Sequence, residues 1–159
     1  MGDEMKKIGK IEAVLWSIAF PGFPQLLMGQ HIKGILFIFI EMLVNVISRF
    51  NLAILYSFNG EIQRAAEVID YQWLMFYPCL YMFSMWDAYR SASPQTSSES
   101  YTFLPFVFGA YFVTVGLIYS LKIKIFGIVL GPVFLPMLAL LPGLLIGLAI
   151  RKLFILRMK

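Results

Sequence analysis

Gly34-Ile35-Leu36-Phe37-Ile38-Phe39-Ile40-Glu41-Met42-Leu43-Val44-Asn45-Val46-Ile47-Ser48-Arg49 begins an apolar run that continues to Phe58. A bilayer core about 30 Å thick needs about 20 such residues in helical form, and this run supplies them. It also carries Glu41, Asn45, Ser48 and Arg49. At about 100° per residue these four fall within one arc. A charge at mid-bilayer costs about 2.5–3.5 kcal/mol on insertion scales, so the arc has to face a bundle interior or a water-filled cleft. Two readings stay open. One is an ion, proton or headgroup site centred on Glu41; the other is interhelical packing with Asn45 as polar glue. Glu41 and Arg49 are about 12 Å apart along a helix axis, too far for a direct bridge, so each needs a partner elsewhere.

Four more apolar runs flank this one: Ala13 to Met28, Trp73 to Ala88, Phe103 to Leu121 and Ile125 to Ile150. The spacing predicts an all-α fold, a polytopic transmembrane helical bundle forming one membrane domain over residues 1–159. The first run is broken by Pro21, Gly22 and Pro24, which stop a helix near its middle. It is expected to re-enter or lie in the interface, leaving four crossings; five remain the alternative. Between the second and third runs, Ile62, Ala65, Ala66 and Ile69 fall on one side of a short surface helix. The Ser-rich stretch Arg90 to Ser100 reads as a mobile loop.

Composition agrees with lipid as the solvent. Of 159 residues 60% are hydrophobic and 14% charged, with a mean hydropathy of +0.78. A soluble domain runs near a quarter charged and cannot hide so much apolar surface. The net charge of +4 does not point to nucleic acid, because the basic residues flank apolar runs instead of forming a patch interleaved with aromatics. The amino-terminal lysines imitate a signal peptide, but no small-x-small site follows, so the segment is expected to be retained.

Basic flanks also orient a membrane protein, since the cytoplasmic side collects Lys and Arg. If all five runs cross, the charges outside the spans divide six against six. With the first run broken, Lys6, Lys7, Lys10, Lys33, Arg90, Arg151, Lys152, Arg157 and Lys159 share one side, against Arg64, Lys122 and Lys124. With the fifth run broken instead, the division is ten against two. Both four-crossing arrangements place both termini in the cytoplasm.

The remaining candidates are structural. Asp87 and Arg90 are three apart and pair locally on a helix as an interfacial anchor. Gly127 and Gly131, and Gly143 and Gly147, have the four-residue spacing that lets helix backbones approach. His31 is the lone histidine and Cys79 the lone cysteine, so no metal, haem or other cofactor set is expected. Cys79 is read as a small buried side chain. No catalytic set is recognised: there is no Gly-x-Ser-x-Gly elbow and no base–nucleophile pair.

The stretch Leu15-Trp16-Ser17-Ile18-Ala19-Phe20-Pro21-Gly22-Phe23-Pro24-Gln25-Leu26-Leu27-Met28-Gly29-Gln30-His31-Ile32-Lys33-Gly34 resembles a group of small polytopic membrane proteins of Bacillus-like bacteria. In that group the first hairpin reads Pro-Gly-x-x-Gln, then Gly, then Lys-Gly. The likeness extends to Asp70-Tyr71-Gln72-Trp73 and Trp86-Asp87-Ala88-Tyr89, and more distantly to the two-transmembrane-helix domain family. It implies a bacterial cytoplasmic membrane and no particular activity. The expectation is a non-enzymatic membrane protein whose partners are the lipid bilayer and a membrane protein or a second copy. A small ion or solute transporter using the Glu41 stripe is the alternative.

Overall fold

Proline and glycine cut this chain into its elements. The computed structural model describes residues 8–92 and 101–157. The expected mobile loop falls largely on residues 93–100, outside the described residues. The first helix, α1 (Lys10–Ala19), stops before Pro21, and Gly22 turns the chain at φ +97° into α2 (Phe23–Leu27). A Cβ at Gly22 would fall 2.4 Å from the Gly34 carbonyl oxygen, so this turn has to be glycine to lie on the next helix. That helix is α3 (His31–Ser48), followed by α4 (Phe50–Phe58), α5 (Ile62–Val68) and α6 (Tyr71–Leu74). Asp70 caps α6 by accepting from the backbone N–H groups of Gln72 and Trp73. Pro78 lies in the first turn of α7 (Tyr77–Ser91), where its missing N–H costs nothing. After α8 (Leu104–Ile118), a hairpin of β1 (Lys124–Ile125) and β2 (Ile128–Val129) leads into α9 (Gly131–Arg157). The fold is all-α, with only this two-residue ladder of strand among the described residues.

Contacts stepped along the long helices give their order. Lys33 meets Asp87, Phe37 meets Phe83 and Glu41 meets Tyr77, so α7 runs antiparallel to α3. Met82 and Tyr89 face Gly109 and Phe106, so α8 reverses again. Gly109 opposes Leu140 and Leu144, while Gly116 opposes Pro136 and Ala139; α9 therefore returns beside α8. The four long helices form an up-down-up-down arrangement with sequential neighbours in contact. The α1–α2 pair starts and finishes at one end of α7: Ile8, Ala13, Leu27 and Met28 gather around Ala88. At the opposite end α4, α5 and α6 build a cap, where Ala53, Ala65, Ile69, Leu74 and Leu117 share a core. The helix expected near 62–69 is α5, and its buried side carries Ala65 and Ala66.

Two helices, α3 and α9, are long and apolar enough to cross a membrane by length and composition. The helix α8 is apolar but shorter. Their outward faces carry large apolar groups: Ile35, Leu36, Phe39, Met42 and Val46 on α3, and Met137, Leu141, Leu145 and Leu148 on α9 are all exposed.

Three sequence expectations change here. The run 34–58 is not one helix: Arg49 sits in the left-handed region at φ 57° and divides α3 from α4. The break is held from outside, because the Asp70 N–H donates to the Ser48 carbonyl at 3.1 Å. Gly127 and Gly131 do not share one helix-packing face: Gly127 closes the β1–β2 turn at φ +82° in open space, and Gly131 starts α9 at φ +74°, where it meets Ile62 of α5. Cys79 is exposed, because α7 buries Pro78, Met82, Met85 and Ala88 on its other side.

Gly143 and Gly147 do lie in a helix–helix contact. A Cβ on Gly143 would fall 2.7 Å from the Phe108 carbonyl oxygen, and one on Gly147 would fall 2.5 Å from the Pro105 Cα. Backbone cannot retreat as a side-chain tip can. Gly147→Leu is therefore expected to destabilise the bundle by about 1–3 kcal/mol, read as a lower thermal midpoint in detergent. Gly127→Asn, in open space and with a side chain that tolerates the left-handed region, should leave the midpoint within a degree or so.

Candidate functional site

Polar side chains inside an apolar bundle have to find one another, because their surroundings offer no replacement for water. Two such groups lie along the α3–α7 seam. The first gathers around Glu41, which is 7% exposed, and Asn45, which is 8% exposed. The Tyr77 hydroxyl donates to Glu41 Oε1 at 2.8 Å. The Tyr81 hydroxyl lies 3.3 Å from that of Tyr77. Since Tyr77 spends its single proton on Glu41, Tyr81 is the donor between them. Their rings stack at 4.7 Å, one helical turn apart on α7.

Asn45 joins this group to the α3–α4 break. Its Nδ2 lies 3.5 Å from Glu41 Oε1 and donates to Asn51 Oδ1 at 3.1 Å, while its Oδ1 accepts from the Asn51 backbone N–H at 3.3 Å. Ser48 Oγ donates to the Asn45 carbonyl and is fully buried. Thus Glu41, Asn45 and Ser48 share the inward face as the arc predicted. Arg49 does not: it is exposed, turned away by its left-handed backbone. Among the described residues no Lys, Arg or His contacts Glu41. The donors around this carboxylate are all neutral.

The second group sits nearer the ends of α1 and α2. Gln25 is fully buried, and its Nε2 donates to the Ser84 carbonyl and to Asp87 Oδ2, both at 3.1 Å. Lys33 Nζ donates to Asp87 Oδ1 at 2.9 Å. The expected Asp87–Arg90 pair is replaced by this arrangement, and the Arg90 guanidinium lies over the Trp86 ring at 5.4 Å. The antiparallel seam delivers Lys33 to Asp87 across the helices, where it meets the carboxylate head-on. Gln25 is the clasp that fastens the broken α1–α2 hairpin to α7.

Tyr77 and Tyr81 were not singled out from the sequence, and Gln25 entered only as the Gln of the Pro-Gly-x-x-Gln hairpin, with no role as a site residue. Gln25 had a signal, being a lone carboxamide inside an apolar run, the same argument that identified Asn45. The tyrosines had none, because their four-residue spacing says they share a face but not which face. No group of three metal-ligating side chains occurs among the described residues, and His31 is exposed at the start of α3.

Chemically, the Glu41 group is a carboxylate held by hydroxyl and amide donors, with a polar path to the exposed Asn51. Such a group can hold a small cation or a proton. Its integrity is testable by a double-mutant cycle in detergent. Glu41→Gln and Tyr77→Phe should each destabilise, and together should fall short of additivity by about 0.5–3 kcal/mol. Tyr77→Phe with Asp87→Asn, about 15 Å apart along α7, should add within about 0.5 kcal/mol.

Compared with known proteins, the chain matches no family model, no curated protein and no solved structure.

Proposed function

We propose that this chain is a non-enzymatic, multi-pass protein of the cytoplasmic membrane, serving as an accessory or scaffold component that binds another membrane protein or itself. The observation that carries the reading is the inversion of polarity: large apolar side chains cover the outside of α3 and α9, while Glu41, Asn45 and Gln25 turn inward. Water would favour the reverse, and lipid favours this. In this reading α3, α7, α8 and α9 cross, and the α1–α2 hairpin dips in and returns. Its two arms meeting at Ala88 support that topology. Lys10, Lys33, Arg90, Arg151, Lys152 and Arg157 lie toward one end, and Arg49, Arg64, Lys122 and Lys124 toward the other. The excess favours both termini in the cytoplasm.

Two measurements test this. With Cys79 replaced, a single cysteine in 59–70 should react with a membrane-impermeant maleimide in intact cells, and one at Arg157 should react only after lysis. The reverse pattern would overturn the orientation. Purification in mild detergent should recover a stoichiometric membrane partner or a defined homo-oligomer; a lone monomer in several detergents would count against the scaffold.

A second reading, a small ion transporter or channel, is favoured by one specific observation: among the described residues, buried Glu41 has only neutral partners. Its test is flux into proteoliposomes. Wild type should pass a monovalent cation or protons above empty vesicles, and Glu41→Gln should reduce that flux at least tenfold. No flux from wild type for any ion tried removes this reading.

A further inference from the structure

The link between α8 and α9 ends in a tip that does nothing for this chain's own packing. Phe126 and Gly127 form the two-residue turn of the β1–β2 hairpin, with Ile125 paired to Ile128 and Lys124 to Val129. Both turn residues have positive φ, 51° and 82°. That turn is best closed by Asn-Gly, because a bulky side chain is disfavoured in the left-handed region. Phe126 stands there nonetheless, and it is 99% exposed. Beside it Ile128, Ile123 and Leu121 are exposed, as are Lys122 and Lys124. Nothing comes within 4 Å of a Cβ built on Gly127, so the tip stands clear of the body. A residue that strains its backbone and touches nothing inside has its partner outside.

We propose that this hairpin is an interfacial lipid anchor, its Phe126 ring inserted at the headgroup–acyl boundary and Lys122 and Lys124 against phospholipid phosphates. The inference rests on the membrane reading above, which puts the ends of α8 and α9 at the level where hydrocarbon gives way to headgroups. Charge complementarity selects the occupant: apolar side chains flanked by two cations match an anionic headgroup layer. The ladder limits the depth. With two paired residues per strand, the outer N–H and C=O groups of the hairpin need water or headgroup partners, which the hydrocarbon core cannot give. Insertion is therefore shallow, and Lys stems long enough to reach outward keep their ammonium groups wet.

The test uses the full chain in vesicles of phosphatidylcholine and phosphatidylglycerol, 3:1. In the tip variant Trp16, Trp73 and Trp86 become Phe and Phe126→Trp supplies the only indole. In the reference variant Trp86 alone is kept and Phe126 is unchanged. Emission from the tip variant should be blue-shifted, and quenched at least twofold more by lipids brominated near the headgroup than by those brominated deep in the chain. Iodide quenching should be severalfold weaker than for free tryptophan. If Trp86 is quenched by brominated lipid while the tip indole emits as in water, the anchor is overturned and the membrane reading survives. If neither is quenched, the membrane reading itself has failed. A blue-shifted tip indole that bromolipids do not quench, and that reverts on dilution into excess lipid, assigns the tip to a second copy and overturns the anchor. Phe126→Asp, which suits the turn, should retain the helical circular dichroism of wild type, so a folding defect cannot imitate loss of insertion.

Discussion

The antiparallel seam between α3 and α7 sets the register of everything packed on it. Lys33 on Asp87, Phe37 on Phe83 and Glu41 on Tyr77 are three rungs at successive turns of α3. A slip of one residue would rotate α3 by about 100° and carry Glu41 toward the exposed face now occupied by Phe39 and Met42. A buried carboxylate that lost its donors would be costly, whereas an exposed Phe for Leu exchange would be nearly neutral. The polar rungs therefore specify the pairing even though apolar contact supplies most of the area. The same turn of α7 that holds Lys33 also receives Gln25, so the α1–α2 hairpin is located by the seam and not by its own short helices.

The α8–α9 contact works by a different rule. Gly116 on one helix and Gly143 and Gly147 on the other bring backbones close enough that added Cβ atoms would meet carbonyl oxygens or Cα atoms, while a Cβ on Gly109 would meet the side chains of Met82, Leu140 and Leu144. Close approach gains dispersion contact without polar partners, which suits two helices with little polar content. Pro136 and Pro142 are tolerated inside α9, and Pro136 itself lies against Gly116. One half of the bundle is thus registered by hydrogen bonds and the other by shape.

The two halves meet in the cap. Ile62 of α5 rests on Gly131 at the start of α9, and Leu117 of α8 joins Ala53, Ile69 and Leu74. Closing this end requires α3 to stop at Ser48, and the chain achieves that with Arg49 in a left-handed conformation while Asp70 supplies a donor to the freed Ser48 carbonyl. The outward placement of Arg49 follows from the same turn, leaving Glu41 with hydroxyl and amide partners.

The amino-acid sequence by itself determined the all-helical class, the break at Pro21 and Gly22, the α5 surface helix and the inward arc of Glu41, Asn45 and Ser48. Each of these follows from local rules: proline lacks a donor, glycine admits positive φ, and a 3.6-residue period assigns faces. Only the tertiary structure decided that Arg49 leaves the arc, that Asp87 takes Lys33 and Gln25 in place of Arg90, and that Gly131 serves a helix start. Those outcomes depend on groups about 20 to 60 residues distant in the chain, such as Asp70 on Ser48 and Gln25 on Asp87. Periodicity can say which face a residue occupies, but the partner on that face is chosen by how the helices are brought together.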